Sequence, residues 1–223
     1  ELLRPRTVVR QLGARNVPLP NGNLSMPRMS SGATAGYVGE GNDVLASEGS
    51  TDDVNLSAKT MITLVPMSNQ LIGRAGFRIE QIVLNDMINA MAVREDKAFL
   101  RDDDTSNTPK GFKSTATDAG RTVAWTGTAD LATIDAYLDS MILQLMNSDS
   151  LLIQPGWALS PRSYMKLFGL RDGNGNKVYP ELAQGQLKGY PIKHTTTIPN
   201  NLGTGTNESE IYFADWNDVV IGE

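Results

Sequence analysis

The sequence predicts an α+β fold, and three observations carry that prediction. Residues Val54 to Leu64 alternate between apolar and polar with period two, as a strand with one buried face does. Residues 77–101 form a long run at helical spacing, free of Gly and Pro. The C-terminal half then carries short apolar strand patterns around two further helix candidates.

In chain order, Thr7-Val8-Val9 reads as a short strand, with Pro18 and Pro20 marking its exit. Residues 19–53 are rich in Gly, Ser, Asn and Pro and contain no Lys. So long a stretch without a helix is unusual inside a compact domain, so it is either disordered or an extended β-hairpin excursion. The neighbouring pattern supports the hairpin. Val54, Leu56, Ala58, Ile62 and Leu64 share one face with Thr60, while Asn55, Ser57, Lys59 and Thr63 take the other and Met61 is the exception. Its partner is the segment 23–29, where Leu24 and Met26 alternate in the same way. An isolated hairpin is marginal in water, so this one needs a further surface, belonging to another subunit.

The helix over 77–101 places Ile79, Val83, Met87, Ala90 and Ala98 on one face, with Ile82, Leu84, Ile88, Met91, Val93 and Phe99 widening the apolar arc. Gln81, Asn85, Asn89 and Asp96 form a narrow polar stripe. A helix this apolar should be covered on several sides. It ends near Arg101, because the acidic run Asp102-Asp103-Asp104 is unfavourable at a helix C-terminus. Residues 102–129 read as irregular. A second helix follows over 130–147, capped by Thr128 or Asp130. Leu151-Leu152-Ile153 and Gly156 to Leu159 read as strand. Ser160 and Pro161 then suit the N-cap and first position of a short helix. Asp172 to Asn176 is a turn by composition. Tyr190 to Ile192, Ile211 to Phe213 and Val219 to Ile221 close the chain as strands.

Composition excludes more chemistry than it suggests. The chain has 223 residues, 20 basic and 25 acidic, for a net charge of −5, with a pI near 5.0 and mean hydropathy of −0.26. This acidic balance does not suit a general phosphate binder. The absence of Cys removes disulfides, thiolate metal sites and thiol nucleophiles. The single histidine, His194, sits in a strand-like Lys-His-Thr-Thr-Thr context, and no Gly-x-Ser-x-Gly elbow accompanies it. Asp172, Asn174 and Asn176 match the first positions of a calcium loop, but Lys177 stands where Gly is required and Ala183 where Glu is required. The run Asp102 to Asp104 reads as a solvated acidic loop. Gly36, Gly39 and Gly41 lack the following Lys-Ser/Thr of a phosphate cradle. No catalytic residue, metal or cofactor is expected. No run approaches the roughly 18 apolar residues of a membrane span. The start at Glu1 and the end inside the apolar stretch 218–221 lead us to expect a trimmed chain.

Five segments, in order, resemble the major capsid proteins of tailed bacteriophages with the HK97-type fold. Trp157-Ala158-Leu159-Ser160-Pro161-Arg162-Ser163-Tyr164, followed by Arg171-Asp172-Gly173-Asn174-Gly175, is similar to that family's strand–helix–"kd-x-x-G" segment. Leu187 to Ile192 resembles its "L-x-G-x-P-V" step. Ile211 to Trp216 resembles "I-x-F-G-D-F/W", with Ala214 in place of Gly. Upstream, Ala35 to Gly41 resembles "a-x-W-v-x-E-g", with Tyr37 for Trp, and Thr108 to Phe112 resembles "x-P-x-G-i/l". The likeness covers about residues 19–223.

The resemblance implies an HK97-like capsid fold. Residues 1–18 would be a strand leading in from an N-terminal arm and 19–65 an extended loop. Residues 66–122 would be a peripheral domain around a spine helix at 77–101, and 123–223 an axial domain whose later peripheral segment is missing. It implies a structural, non-enzymatic protein forming pentamers and hexamers of an icosahedral shell around double-stranded DNA, without sequence-specific binding. A scaffolding protein, a portal and a maturation protease are the implied partners. The implied location is the virion capsid, assembled in the bacterial cytoplasm without a membrane. Leu24, Met26, Arg28, Tyr37, Glu40, Asp172 and Asn174 are the candidate inter-subunit contacts. Two alternatives stay open: an encapsulin-like compartment shell, told apart by its cargo, and a soluble enzyme or ligand-binding domain. The last requires His194, the Asp run or Trp157 to converge on one pocket.

Overall fold

A computed structural model describes residues 7–32, 34, 36–38, 49–70, 73, 77–148 and 150–222. The chain divides into two compact units. One comprises the N-terminal residues up to 15 together with 59–221; the other comprises 16–58 with the last residues.

The larger unit is built on a four-stranded mixed sheet. Its strands are β4 (Pro155–Leu159), β5 (Gln186–Leu187), β6 (Tyr190–His194) and β7 (Ile211–Asp215), in the order β5-β6-β4-β7. β4 runs parallel to β6, with Trp157 opposite Ile192, and antiparallel to β7, with Trp157 opposite Phe213. Gly156 to Leu159 and Tyr212 to Asp215 are all buried, because both faces of this sheet are covered. Period two then sorts their side chains into two cores. Trp157, Leu159 and Phe213 pack with Ile134, Leu138 and Leu182 on one face. Ala158, Tyr212 and Ala214 pack with Val8, Leu100 and Trp216 on the other.

The first core is covered by helices α4 (Leu131–Met146) and α5 (Pro161–Phe168). Asp130 caps α4 by accepting from Thr133 N–H at 2.8 Å, which resolves the choice between Thr128 and Asp130. Ser160 caps α5 with Pro161 following, as the sequence predicts. The second core is covered by α1 (Val8–Gln11), α2 (Phe77–Arg101) and α3 (Phe112–Asp118). α2 has the predicted bounds. Its burial does not follow the prediction. Ala98, Leu100 and Asp96 are buried, whereas Ile82, Leu84 and Ile88 are more than half exposed. Part of the apolar arc of its N-terminal half is therefore left uncovered by the described residues.

Several expectations are corrected. Thr7-Val8-Val9 is not a strand; Val8 opens α1, because an acceptor from another helix satisfies its first N–H groups. Residues 102–129 are not wholly irregular. They contain α3, whose Thr-rich sequence has weak propensity and no side-chain cap, so packing of Phe112 against Tyr212 and Trp216 holds it. Leu151 to Ile153 is not strand. Leu152 has φ +49°, and Leu151 and Ile153 are exposed. Arg15 N–H donates to Val219 O; β1 is Arg15–Val17, and the predicted closing strand is present as β8 (Val220–Gly222).

The smaller unit is a hairpin of β2 (Asn23–Ser31) and β3 (Ser50–Ser57). The pairing partner is the predicted one, with Leu24 opposite Leu56 and Met26 opposite Val54. β3 starts and stops earlier than the alternation suggests. Ile62 and Leu64 continue the pattern but lie outside any strand, 84% and 87% exposed.

Candidate functional site

The two-stranded ladder fixes which hairpin side chains share a face. Ala58 N–H donates to Gly22 O at 2.6 Å, setting the first rung. From the register, Leu24, Met26 and Arg28 lie on one face with Leu56, Val54 and Asp52. Leu24, Met26, Val54 and Leu56 are only partly buried, so the hairpin keeps an incompletely covered apolar stripe. Arg28 and Asp52 face each other at its end, Nη2 to Oδ2 at 2.8 Å. This exposed pair contributes little to stability but fixes charge at that end of the stripe. The bond from Arg28, with the Asp53 N–H behind it, holds the Asp52 carboxyl below the usual carboxylate range. Tyr37 is fully exposed. Glu40 lies outside the described residues.

The other two candidates share a turn in the larger unit. Asp172 accepts from Asn174 N–H at 2.9 Å and Asn176 N–H at 2.8 Å. Those bonds, Asn176 first, hold its carboxyl below the usual range. The turn is a self-satisfied Asx structure. The structure therefore groups Leu24, Met26 and Arg28 on one face, and Asp172 and Asn174 in one turn.

The groups an enzyme would need are engaged separately. Trp157 is fully buried, with its indole N–H donating to Leu187 O. His194 is exposed on β6, its ring 5.2 Å from that of Tyr164. Asp102 pairs with Arg94 and Asp104 with Lys59. Among the described residues no cluster of metal-ligating side chains forms, and no helix is long and apolar enough to cross a membrane.

Sequence reasoning missed three polar clusters. Asp96, assigned to the polar stripe, is buried beneath α1. It accepts from Val8 and Val9 N–H at 2.8 and 3.1 Å and from the Thr195 and Thr197 hydroxyls. Lys188 binds Asp135 and Asp139, one helical turn apart on α4, and Tyr179 O–H donates to Asp135. The i, i+4 carboxylates were the readable signal there. Glu210 accepts from Arg101, Lys113 and Tyr212.

Burial alone would raise the Glu210 carboxyl, but hydrogen bonds from Lys113, Tyr212 and Arg101 outweigh it and leave it lowered. A lowered folded value stabilises the protein above the unfolded value of about 4.5, and that contribution is lost as pH falls through the folded value. Wild type should therefore melt above Glu210→Gln at neutral pH, with the gap closing in acid. A gap independent of pH would contradict this reading.

Residues 1–223 match the phage capsid family from end to end. The chain belongs to that family. A curated major capsid protein of Klebsiella oxytoca phage phiKO2 is 64% identical over 225 residues, a match covering 100% of this chain and 53% of the relative. A major capsid protein of Halomonas phage phiHAP-1 is 27% identical over 137 residues, covering 60% of this chain and 23% of the relative. The chain thus spans about half the length of the first curated relative and less of the second.

Solved structures agree in fold. A capsid structure of a native GTA particle superposes with a TM-score of 0.78 at 20% identity, covering 100% of this chain and 78% of the other. A Mycobacterium phage Cain structure gives 0.77 at 17%, covering 100% and 72%. This phage capsid chain has the HK97-type fold, as its motifs imply. Those motifs now have physical reasons. In the Leu187 to Ile192 step, Lys188 and Gly189 carry φ +51° and +82° to turn β5 into β6. The Trp157 to Tyr164 segment is the central strand and the capped start of α5.

Proposed function

We propose that this chain is the shell-forming part of a tailed-phage major capsid subunit. The observation that carries the reading is the 64% identity, along the whole chain, to a protein that is itself a major capsid protein. The hairpin supports it. Its partly exposed apolar stripe needs a cover, and two strands alone are marginal in water. In this reading residues 19–65 are the extended loop, 66–122 the peripheral domain with α2 as its spine, and 123–223 the axial domain. Subunits form pentamers and hexamers of an icosahedral virion capsid, assembled in the bacterial cytoplasm. A scaffolding protein, a portal and a maturation protease serve that assembly. The net charge of −5 would limit tight adhesion of packaged double-stranded DNA to the wall. The subunit does no chemistry and needs no cofactor. The relatives favour a phage shell over a cargo compartment.

Leu24, Met26, Arg28, Tyr37, Glu40, Asp172 and Asn174 are the contacts we assign to neighbouring subunits. The full-length protein, expressed with its scaffold, should give closed shells in negative-stain electron microscopy. Val54→Asp places a charge in the hairpin stripe. It should abolish shells while the melting of the isolated chain changes little. Normal shells from Val54→Asp would remove the hairpin from the interface. Absence of shells from the unmodified protein with its scaffold would overturn the shell reading itself.

A further inference from the structure

The chain contains two Asn-Gly pairs, Asn21-Gly22 and Asn174-Gly175, and the fold holds them differently. Both glycine N–H groups donate within a turn, Gly22 to Leu19 O and Gly175 to Asp172 O, each at 3.1 Å, but the Gly22 carbonyl also accepts from Ala58 N–H at 2.6 Å, which ties it into the hairpin ladder. Asn174 and Gly175 sit in an exposed turn flanked by the bridge between Arg171 and Lys177. A β-carbon at Gly175 would meet nothing within 4 Å, and its φ is +85°. The Asn174 main-chain N–H is fixed by Asp172, whereas its side-chain amide has no hydrogen-bond partner among the described residues. The amide carbon can therefore swing toward the next backbone nitrogen, and that approach is the geometric requirement for ring closure.

We propose that Asn174 is a self-modifying site that deamidates in the folded chain. The Gly175 nitrogen gives up its proton to solvent base and attacks Cγ of Asn174. The new N–Cγ bond closes a succinimide as the Cγ–Nδ2 bond breaks and ammonia leaves. Water then opens the ring. Cleavage of the new bond gives aspartate; cleavage at the former main-chain carbonyl gives isoaspartate. The net change is water in and ammonia out, with no oxidant or reductant.

The turn itself sets the pace. Gly175 N–H donates to Asp172 O at 3.1 Å, and Gly175 O accepts from Arg171 Nη1 at 2.8 Å, so the nucleophile is released only when the turn opens. The Asp172 carboxylate, through Asn174 and Asn176 N–H, is what keeps it closed. Either product adds a negative charge beside Asp172. Isoaspartate also lengthens the backbone and pulls Asn176 N–H away from Asp172. The inference concerns the unassembled chain, where the turn is exposed, and so stands whether or not the shell reading does.

The test is peptide mapping of the folded chain held in mildly alkaline buffer. Trypsin cleavage after Arg171 and Lys177 releases Asp172 to Lys177, and tandem mass spectrometry locates the change. Asn174 should convert to two chromatographically distinct acid products, several-fold faster than Asn21 in the same sample. Asn174→Gln should abolish the conversion. Asp172→Ala should accelerate it several-fold. An Asn174 that stays amidated while Asn21 converts would overturn the proposal. So would a rate that Asp172→Ala leaves unchanged, since the turn would then not control the site.

Discussion

Trp157→Ala should destabilise the chain by about 4 kcal/mol, within the range for deleting a buried tryptophan. Trp157 is fully buried on the central strand of the sheet, between β6 and β7. Its ring lies 4.3 Å from that of Phe213, and its indole N–H donates to Leu187 O at 3.0 Å. Alanine would leave a cavity lined by Phe213, Leu159 and Leu187, and a buried carbonyl without its donor. The surroundings cannot collapse easily, because β4 is fixed by strands on both sides. Trp125 is the control: 41% exposed, with its ring tilted at 38° against that of Tyr137, it should cost about 1 kcal/mol or less. Denaturant unfolding of both variants checks the contrast. Equal losses would mean that the sheet is not the stability-determining core.

Asp96→Ala is the second large effect, expected at about 3 kcal/mol or more, because buried donors left without an acceptor each cost about 1–3 kcal/mol. Asp96 accepts two main-chain N–H groups at the start of α1 and two threonine hydroxyls after β6. Asp96→Asn keeps one acceptor oxygen and should lose less, about 1–2 kcal/mol. The pH dependence separates a charge effect from a packing effect. Burial lifts the Asp96 carboxyl above the ordinary range, against the pull of Val9, Val8, Thr195 and Thr197. A raised folded value gives a contribution that is full below the unfolded carboxylate value and lost as pH rises through the folded one. Wild type should therefore gain on Asp96→Asn as pH falls from neutral. Glu210→Gln should show the opposite trend. Thermal melts of both variants across the acid range test the sign, and parallel trends would show that one of the two environments is misread.

Legibility varied with how local each determinant is. The bounds of α2, the Ser160-Pro161 cap and the β2–β3 pairing were readable because spacing and capping chemistry lie within a few residues. The HK97-type fold was readable from short motifs that turn out to be a central strand and tight turns. α1 and α3 were not readable. Val8-Val9 has a strand-like composition and is helical only because Asp96, 88 positions away, satisfies its N–H groups. α3 depends on aromatic contacts with Tyr212 and Trp216. The run 58–64 misled for a related reason. Its alternation is real, but no partner strand lies beside it among the described residues.

The anchoring of α1 has a kinetic consequence. Val8 and Val9 share a core with Trp216 and Ile221, and the Asp96 bonds join the start of the chain to its last fifth. The flanking strands of β4 both come later in the chain than β4 itself. On a ribosome, the larger unit therefore cannot close until residues 211–221 have emerged, and until then the apolar faces of α2 and β4 stand open. Such non-local closure predicts slow folding and a long window in which nascent chains can stick to one another.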